Sequence, residues 1–303
     1  MSLVAVAALF AACSQDNENV TPTTGTEDKG ILEFGASLPS TRTYLNGNEV
    51  YWSEGDKLTV WSDEVQSPRT YVQSAFGSTP QSATFTFTPT AEIPTGVSGS
   101  EYYAIYPQSP KTTVSGNVAY IELPATQKCQ DINKTMNFLP TFNPMAATSA
   151  DHNNLEFKNL CGIVVVTVTP DQDLTLTEII LETADAKALC GAATVTMGAT
   201  PTMEMTEVTT ANKQVSLACE NMALTAGTAY SFYIVVPAAT YNDFGVKIYT
   251  NKKRNEPSLY KVRTNRPLEL QAGMITTIGA NFNLITREPQ KNKVGDKYPY
   301  NAD

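Results

Sequence analysis

The side chains that could perform acid–base or nucleophilic chemistry are few and widely separated. The single histidine, His152, follows Asp151, so any Ser-His-Asp or Cys-His site would have to include it. No GxSxG motif occurs, and no strand-coupled nucleophile lies near His152 in the sequence. We therefore interpret His152 as a linker residue, and we predict that the chain has no catalytic residues and is not an enzyme.

Patterns typical of metal and phosphate sites are also missing from the sequence. One histidine and scattered cysteines do not make a zinc site, and neither a DxDxDG loop nor a GxxxxGK[ST] motif is present. Glu54 and Asp56, on either side of Gly55, could bind a cation weakly, but the chemistry of a turn is the preferred explanation for them. We predict no metal site and no cofactor.

The cysteine nearest the start of the chain has a distinctive context. Residues 1–12 are almost wholly apolar and uncharged, and they end in Ala11-Ala12 directly before Cys13. Small residues before a cysteine resemble the lipobox of a bacterial lipoprotein, in which the thiol is acylated and the chain is cut just before it. The apolar run is too short to cross a bilayer. We predict a lipoprotein signal peptide at residues 1–12 and lipidation of Cys13; a buried strand ending in an ordinary cysteine is the alternative.

The sequence does not determine how the other four cysteines pair. In an oxidising envelope, Cys129, Cys161, Cys190 and Cys219 could form two bridges by three connectivities. None of them belongs to a CxxC motif. Cys161 and Cys190 each precede a glycine beside an apolar strand pattern, so we predict that both are small buried hydrophobic residues.

Residues 40–61 contain the one candidate processing site. Arg42 lies between Thr41 and Thr43, and the Asn-Gly pair at 46–47 is a strong signal for a hairpin turn. An arginine in a Thr/Ser-rich segment between two strands is a plausible target for a trypsin-like protease. We predict proteolytic processing between Arg42 and Thr43; the alternative is that this stretch is simply the first hairpin of a β-domain.

Composition narrows the fold and the partners. The chain has 303 residues, with 21 Lys and Arg against 30 Asp and Glu, for a net charge of -9. Such a surface repels polyanions, so we predict no nucleic-acid partner. Thr, Ser, Val and Tyr recur in short runs separated by turns, and stretches with helical spacing are scarce. This pattern predicts an all-β fold of two packed sandwiches.

The elements that position these residues divide into five segments. After the signal peptide we predict a flexible tether at 13–29, a first sandwich at 30–152, a second at 153–284 and a polar tail at 285–303. Residues 30–38 read as the first strand, and 127–150 as an irregular connection. The run at 163–166, Ile-Val-Val-Val, predicts a strand covered on both faces.

Several short motifs occur in a fixed order between residues 34 and 284. They are TRT (41–43), NGxxVYW (46–52), GDKLTVW (55–61), YAIYP (103–107), LPATQ (123–127), FKNLCG (157–162) and YIVVPAATY (233–241). In this order and spacing the chain resembles the fimbrillin family of surface lipoproteins from Bacteroidetes. The resemblance implies two tandem transthyretin-like β-sandwich domains. The polar, acidic residues 14–18 likewise resemble the tag that sends such lipoproteins to the cell surface.

The resemblance also implies a mode of assembly. A structural or adhesive fimbrial subunit would be held in the outer membrane through its lipid, and an arginine-specific protease would cut after Arg42 and remove the first strand. The groove left behind would accept a strand from another fimbrial subunit, head to tail. Host or bacterial surface ligands are further candidate partners. The runner-up is a surface glycan-binding lipoprotein with an aromatic platform, for which the candidate rings are Trp52, Trp61, Tyr102 and Tyr106.

Overall fold

The computed structural model describes residues 29–38, 51–79, 81–129, 143–251, 257–263, 266–278 and 282–284. Five predicted features lie outside these ranges: the signal peptide with Cys13, the tether up to residue 28, the Asn-Gly hairpin turn, the processing site at Arg42 and Thr43, and the tail at 285–303. Within the ranges, no helix has the length and apolar character that crossing a bilayer requires.

The described chain is built from β-strands, with one 3₁₀ turn at Ala211–Lys213, so the predicted all-β fold is confirmed. The first eleven strands are β1 (Glu33–Ser37), β2 (Lys57–Ser62), β3 (Arg69–Phe76), β4 (Ser82–Thr86), β5 (Tyr102–Tyr106), β6 (Thr113–Ser115), β7 (Val118–Leu123), β8 (Thr126–Lys128), β9 (Met145–Ser149), β10 (Leu155–Glu156) and β11 (Lys158–Asn159). The remaining strands are β12 (Cys161–Pro170), β13 (Leu174–Thr183), β14 (Gly191–Thr196), β15 (Thr202–Met205), β16 (Gln214–Leu224), β17 (Tyr230–Pro237), β18 (Ala239–Tyr241), β19 (Phe244–Asn251), β20 (Pro257–Arg263), β21 (Leu268–Leu270), β22 (Ile275–Thr277) and β23 (Phe282–Leu284).

The first sheet closes on itself. Its strand order is β10-β1-β4-β3-β2-β5-β9-β11, and its two end strands are successive pieces of one segment separated only by Phe157. The Phe157 N–H donates to the Ser37 carbonyl at 3.0 Å, and the Leu160 N–H donates to the Pro144 carbonyl at 3.0 Å. Residues 155–159 therefore pair with β1 at one end and with β9 at the other. A core rich in aromatic side chains fills the ring.

The later strands form a sandwich of two sheets. One sheet has the order β20-β19-β13-β16-β8, and the other has β17-β12-β22 with β23 also paired to β12. Val164, Val166 and Val168 of β12 enter the core between these sheets, whereas Ile163 and Val165 enter a separate core on the opposite face. The prediction that this run is a strand covered on both faces is therefore confirmed.

A third core joins the two halves of the chain. A four-stranded sheet, β15-β14-β7-β6, combines a hairpin from before residue 152 with a hairpin from after it. This sheet packs against Trp61 of the ring and Val165 of the sandwich. The strand pairs β1–β10 and β8–β16 also join a strand from before residue 152 to a strand from after it. The division into domains at 30–152 and 153–284 stays a prediction, as does their transthyretin-like topology, and the halves share sheets across that point.

Two local predictions were wrong. The predicted irregular connection at 127–150 contains β9, where Met145 and Ala147 face the ring core and Ala146 faces the third core. Small residues buried on both faces show no alternation of apolar and polar residues, so the strand was not recognisable. The hairpin indicated by the Asn-Gly pair also predicts a strand at 50–52, directly after its turn, but Tyr51 and Trp52 do not belong to a strand. The Trp52 ring instead packs into the ring core.

We expect Ile234→Ala to lower the free energy of unfolding by about 2–5 kcal/mol, because it opens a cavity in a fully buried part of the sandwich core. Val208→Ala is the matched control, since Val208 is 46% exposed and should change stability by less than about 0.5 kcal/mol. Urea unfolding of the three proteins checks this, and equal effects of the two substitutions would contradict the assigned core.

Candidate functional site: the seat of the first strand

The first strand, β1, is not at a sheet edge: it has a hydrogen-bonded neighbouring strand on each side within the closed sheet. β1 pairs antiparallel with β4, where Phe34 lies opposite Phe85. On its other side it pairs in parallel with β10, where Ala36 lies opposite Leu155. A strand from the very beginning of the described chain therefore closes a sheet whose other end comes from more than a hundred residues later.

Alternate side chains of this strand fill the ring core. Phe34, Ala36 and Leu38 are buried, and the Phe34 ring meets three other rings edge to face. The ring centroids lie 5.0 Å from Tyr71, 5.2 Å from Tyr102 and 6.3 Å from His152. Edge-to-face aromatic pairs contribute about 0.5–1.5 kcal/mol each beyond the area that they bury. Phe34 is therefore the main side-chain anchor of β1.

The backbone of β1 is held from both sides. The Gly35 N–H donates to the His152 carbonyl at 2.9 Å, and the Phe87 N–H donates to the Leu32 carbonyl at 2.8 Å. The Leu38 N–H donates to the Gln81 carbonyl at 2.9 Å. If the strand left, donors and acceptors on both neighbours would lose their partners, at about 1–3 kcal/mol for each group that stays buried.

Two glycines set how closely the strand approaches its neighbours. A Cβ added at Gly35 would lie 2.2 Å from the Asn153 carbonyl oxygen, and one at Gly96 would lie 2.0 Å from the Ile31 carbonyl oxygen. Both contacts are with backbone, which cannot move aside as a flexible side chain can. The place that β1 occupies between β4 and β10, which we call its seat, therefore accepts no side chain at position 35.

Tyr71 clamps the residues just before β1. Its hydroxyl donates to the Ile31 carbonyl at 2.5 Å and accepts from the Val97 N–H at 3.2 Å. The Ile31 N–H in turn donates to the Val97 carbonyl at 2.7 Å. Burial raises the pKa of Tyr71 to about 12, so the hydroxyl keeps its proton. Sequence reasoning missed this role, because Tyr71 looks like any aromatic residue on a strand.

The structure gives His152 a more definite position than the predicted linker. Its carbonyl accepts from β1, and its ring packs against Phe34. Glu54 and Asp56 belong to a turn, as preferred from the sequence: Asp56 accepts from the Ser53 N–H at 2.7 Å and from the Tyr106 hydroxyl at 3.0 Å. In the part of the chain that the structure describes, no three His, Cys, Asp or Glu residues gather as metal ligands would.

The rings suggested for a glycan platform belong mainly to cores. Trp61 is fully buried and its indole N–H donates to the Gly116 carbonyl at 2.9 Å. Trp52 and Tyr102 are buried in the ring core, and Tyr106 is half-buried against it. Because sugar stacking requires an open ring face, this set of residues does not form such a platform.

The prediction that Cys161 and Cys190 are buried is confirmed. Cys161 lies in the third core, where burial raises the pKa of its thiol well above the usual range. The Cys190 thiol donates to the Gln214 carbonyl at 3.1 Å. Neither cysteine is presented as a nucleophile.

We expect Tyr71→Phe to lower the free energy of unfolding by about 1–3 kcal/mol, because the Ile31 carbonyl and the Val97 N–H lose their shared partner. Amide hydrogen exchange at residues 29–38 should speed up more than elsewhere. Tyr120→Phe is the matched control, since that side chain is 45% exposed. A stability loss without faster exchange at 29–38 would contradict the clamp.

The raised pKa of Tyr71 gives a pH dependence of known sign. The folded protein holds this proton up to a pKa of about 12, against about 10 in the unfolded chain. The contribution of Tyr71 is therefore complete below pH 10 and is lost as the pH rises towards 12. We expect the stability difference between the natural chain and Tyr71→Phe to narrow over that interval in urea unfolding; a constant difference would contradict it.

Comparisons with known proteins place the chain in a family. The fimbrillin-like family model matches residues 41–296. Among solved structures, a candidate cell adhesion protein from Bacteroides ovatus has 10% identity and a TM-score of 0.46, with 81% of this chain and 91% of that chain covered. A candidate adhesin from the same species has 9% identity and a TM-score of 0.32, covering 93% and 100%. A search of curated proteins gave no match.

The family model spans most of the chain; it begins after β1 and includes the other strands of the ring, the shared sheet and the sandwich. The family suggested by the order of the sequence motifs is therefore confirmed. The chain belongs to the fimbrillin-like family.

Proposed function

We propose that this protein is a non-enzymatic structural or adhesive subunit of a cell-surface fimbria. It is exported as a lipoprotein through Cys13 and held in the outer membrane until an arginine-specific protease cuts between Arg42 and Thr43. The cut breaks the covalent link between β1 and the strands that follow it. A strand from another fimbrial subunit then replaces β1, and head-to-tail repetition of this exchange builds a filament.

The observation that carries the proposal is the position of β1. This strand closes a ring, and its only covalent link to the later strands is the segment that contains Arg42. Cutting that segment removes the covalent tie but leaves every hydrogen bond and ring contact of β1 in place. The cleaved strand then stays bound only by non-covalent contacts, so a competing strand can displace it without unfolding the remainder.

The seat of β1 also defines which strand can replace it. A large apolar ring fits between the aromatic rings that hold Phe34, no side chain fits at position 35, and a small residue fits at Ala36. A second large apolar side chain fills the place of Leu38. The incoming segment therefore has the pattern large, glycine, small, any, large.

The last strands of the chain have partners within their own subunit. β22 and β23 both pair in parallel with β12. In this arrangement they complete the sandwich of their own subunit. The aromatic rings suggested for glycan binding belong mainly to the cores. Strand exchange is therefore the function that the geometry supports best.

The experiment uses the purified full chain and a trypsin-like protease with arginine specificity. We expect a new N-terminus at Thr43, and we expect Arg42→Gln to resist this cut. The cleaved protein should then bind a labelled peptide of residues 29–38 that displaces its own first strand. The same peptide carrying Phe34→Ala should bind about 100-fold more weakly, because burial of the ring is lost.

The Gly35→Val peptide is the geometric control, since its side chain would meet the Asn153 carbonyl and should abolish binding. Uncleaved protein should not take up any of the peptides at a comparable rate. Cutting elsewhere with an intact Arg42–Thr43 bond would contradict the processing site. Correct cutting without uptake of the natural peptide would contradict strand exchange.

A further inference from the structure

Two cysteines lie directly opposite each other on neighbouring strands of the sandwich. β8 pairs in parallel with β16, with Leu217 opposite Gln127 and Ala218 opposite Lys128. The ladder continues one step further, because the Cys129 N–H donates to the Ala218 carbonyl at 2.9 Å. In a parallel ladder this bond places Cys129 opposite Cys219.

This placement meets the geometric requirements of a disulfide. Neighbouring strands lie about 4.8 Å apart, which is within the range of about 4.4–6.8 Å that separates the Cα atoms of bridged cysteines. Side chains of opposed residues point to the same face of the sheet. The two thiols are close enough to affect each other's ionisation: the pKa of Cys129 is lowered and that of Cys219 is raised.

The surroundings of the two thiols differ in a way that suits stepwise oxidation. Cys219 is buried, whereas Cys129 is half-buried at the edge of the sandwich core and can be reached from solvent. The neighbouring Cys219 thiol lowers the pKa of Cys129, so the Cys129 thiolate forms more readily than that of an ordinary buried cysteine. Cys129 is thus suited to react first, with Cys219 positioned to complete the bridge.

We propose that Cys129 and Cys219 form a disulfide that fastens β8 to β16, with a small-molecule or protein disulfide as the oxidant. The Cys129 thiolate attacks one sulfur of the oxidant and expels the other as a thiolate, which forms a mixed disulfide. Cys219 loses its proton to water and attacks the Cys129 sulfur, expelling the second thiolate. The protein loses two hydrogen atoms in total, and the oxidant is reduced to two thiols.

The bridge would secure a short strand that connects both sheets of the sandwich. β8 has only three residues and forms the edge of its sheet. The buried Gln127 amide also reaches the other sheet, where it donates to the Val235 carbonyl at 2.8 Å and its oxygen accepts from the Val235 N–H at 2.9 Å. A short edge strand separates easily from its neighbour, and a covalent link at its end prevents this.

The test is disulfide mapping of the purified full chain after equilibration with oxidised glutathione. Free thiols are blocked with N-ethylmaleimide under denaturing conditions before digestion and mass spectrometry. We expect one linked peptide pair that contains Cys129 and Cys219, with Cys161 and Cys190 recovered in blocked form. The thermal unfolding midpoint should rise by roughly 5–10 °C on oxidation, because the bridge closes a loop of roughly 90 residues.

Cys129→Ser should abolish both the linked pair and the rise in midpoint, whereas Cys190→Ala should keep both. Reduction with dithiothreitol should return the natural chain to its original midpoint. Recovery of Cys129 and Cys219 as blocked thiols after oxidation would overturn the proposal, and so would a link from either of them to another cysteine. These outcomes do not depend on Arg42 or on strand exchange, so failure here would leave the proposed function untouched.

Discussion

The insertion of β1 between β4 and β10 is the interaction on which the first half of the structure depends. A sheet closed into a ring has no exposed edge, so removing one strand creates two edges at once and opens the core beneath them. The Phe34 ring and the backbone bonds of β1 therefore protect both neighbouring strands and the core between them. The same dependence is the basis of the proposed exchange, in which a segment of matching shape takes the place of β1 and restores the closed ring.

The rest of the chain is arranged so that it does not rely on this strand alone. The shared sheet of β6, β7, β14 and β15 packs against both the ring and the sandwich, and β12 contributes side chains to two cores. Because this third core holds the halves together, we expect the contact between them to survive when the ring opens at β1. A folded remainder is what an exchange of single strands requires.

Side chains supply backbone-like hydrogen bonds at two places where strand pairing stops. The Tyr71 hydroxyl links the Ile31 carbonyl to the Val97 N–H, and the Gln127 amide pairs with Val235 as a strand would. Buried backbone groups without partners are costly, so these side chains allow short or irregular segments to end inside the protein. Each one lies next to a segment with a proposed role, β1 in one case and β8 in the other.

The order of motifs along the chain indicated the family. The sequence by itself also determined the all-β class, the first strand, the doubly covered β12 and the burial of Cys161 and Cys190. These features follow from local patterns of apolar, β-branched and turn residues, which are readable within a window of about ten residues. Only the tertiary structure decided the closure of the ring, the clamp by Tyr71, the shared sheet and the opposition of Cys129 and Cys219. Each of these joins residues far apart in the chain, and the choice among distant partners depends on how all the strands pack together, which no local pattern records.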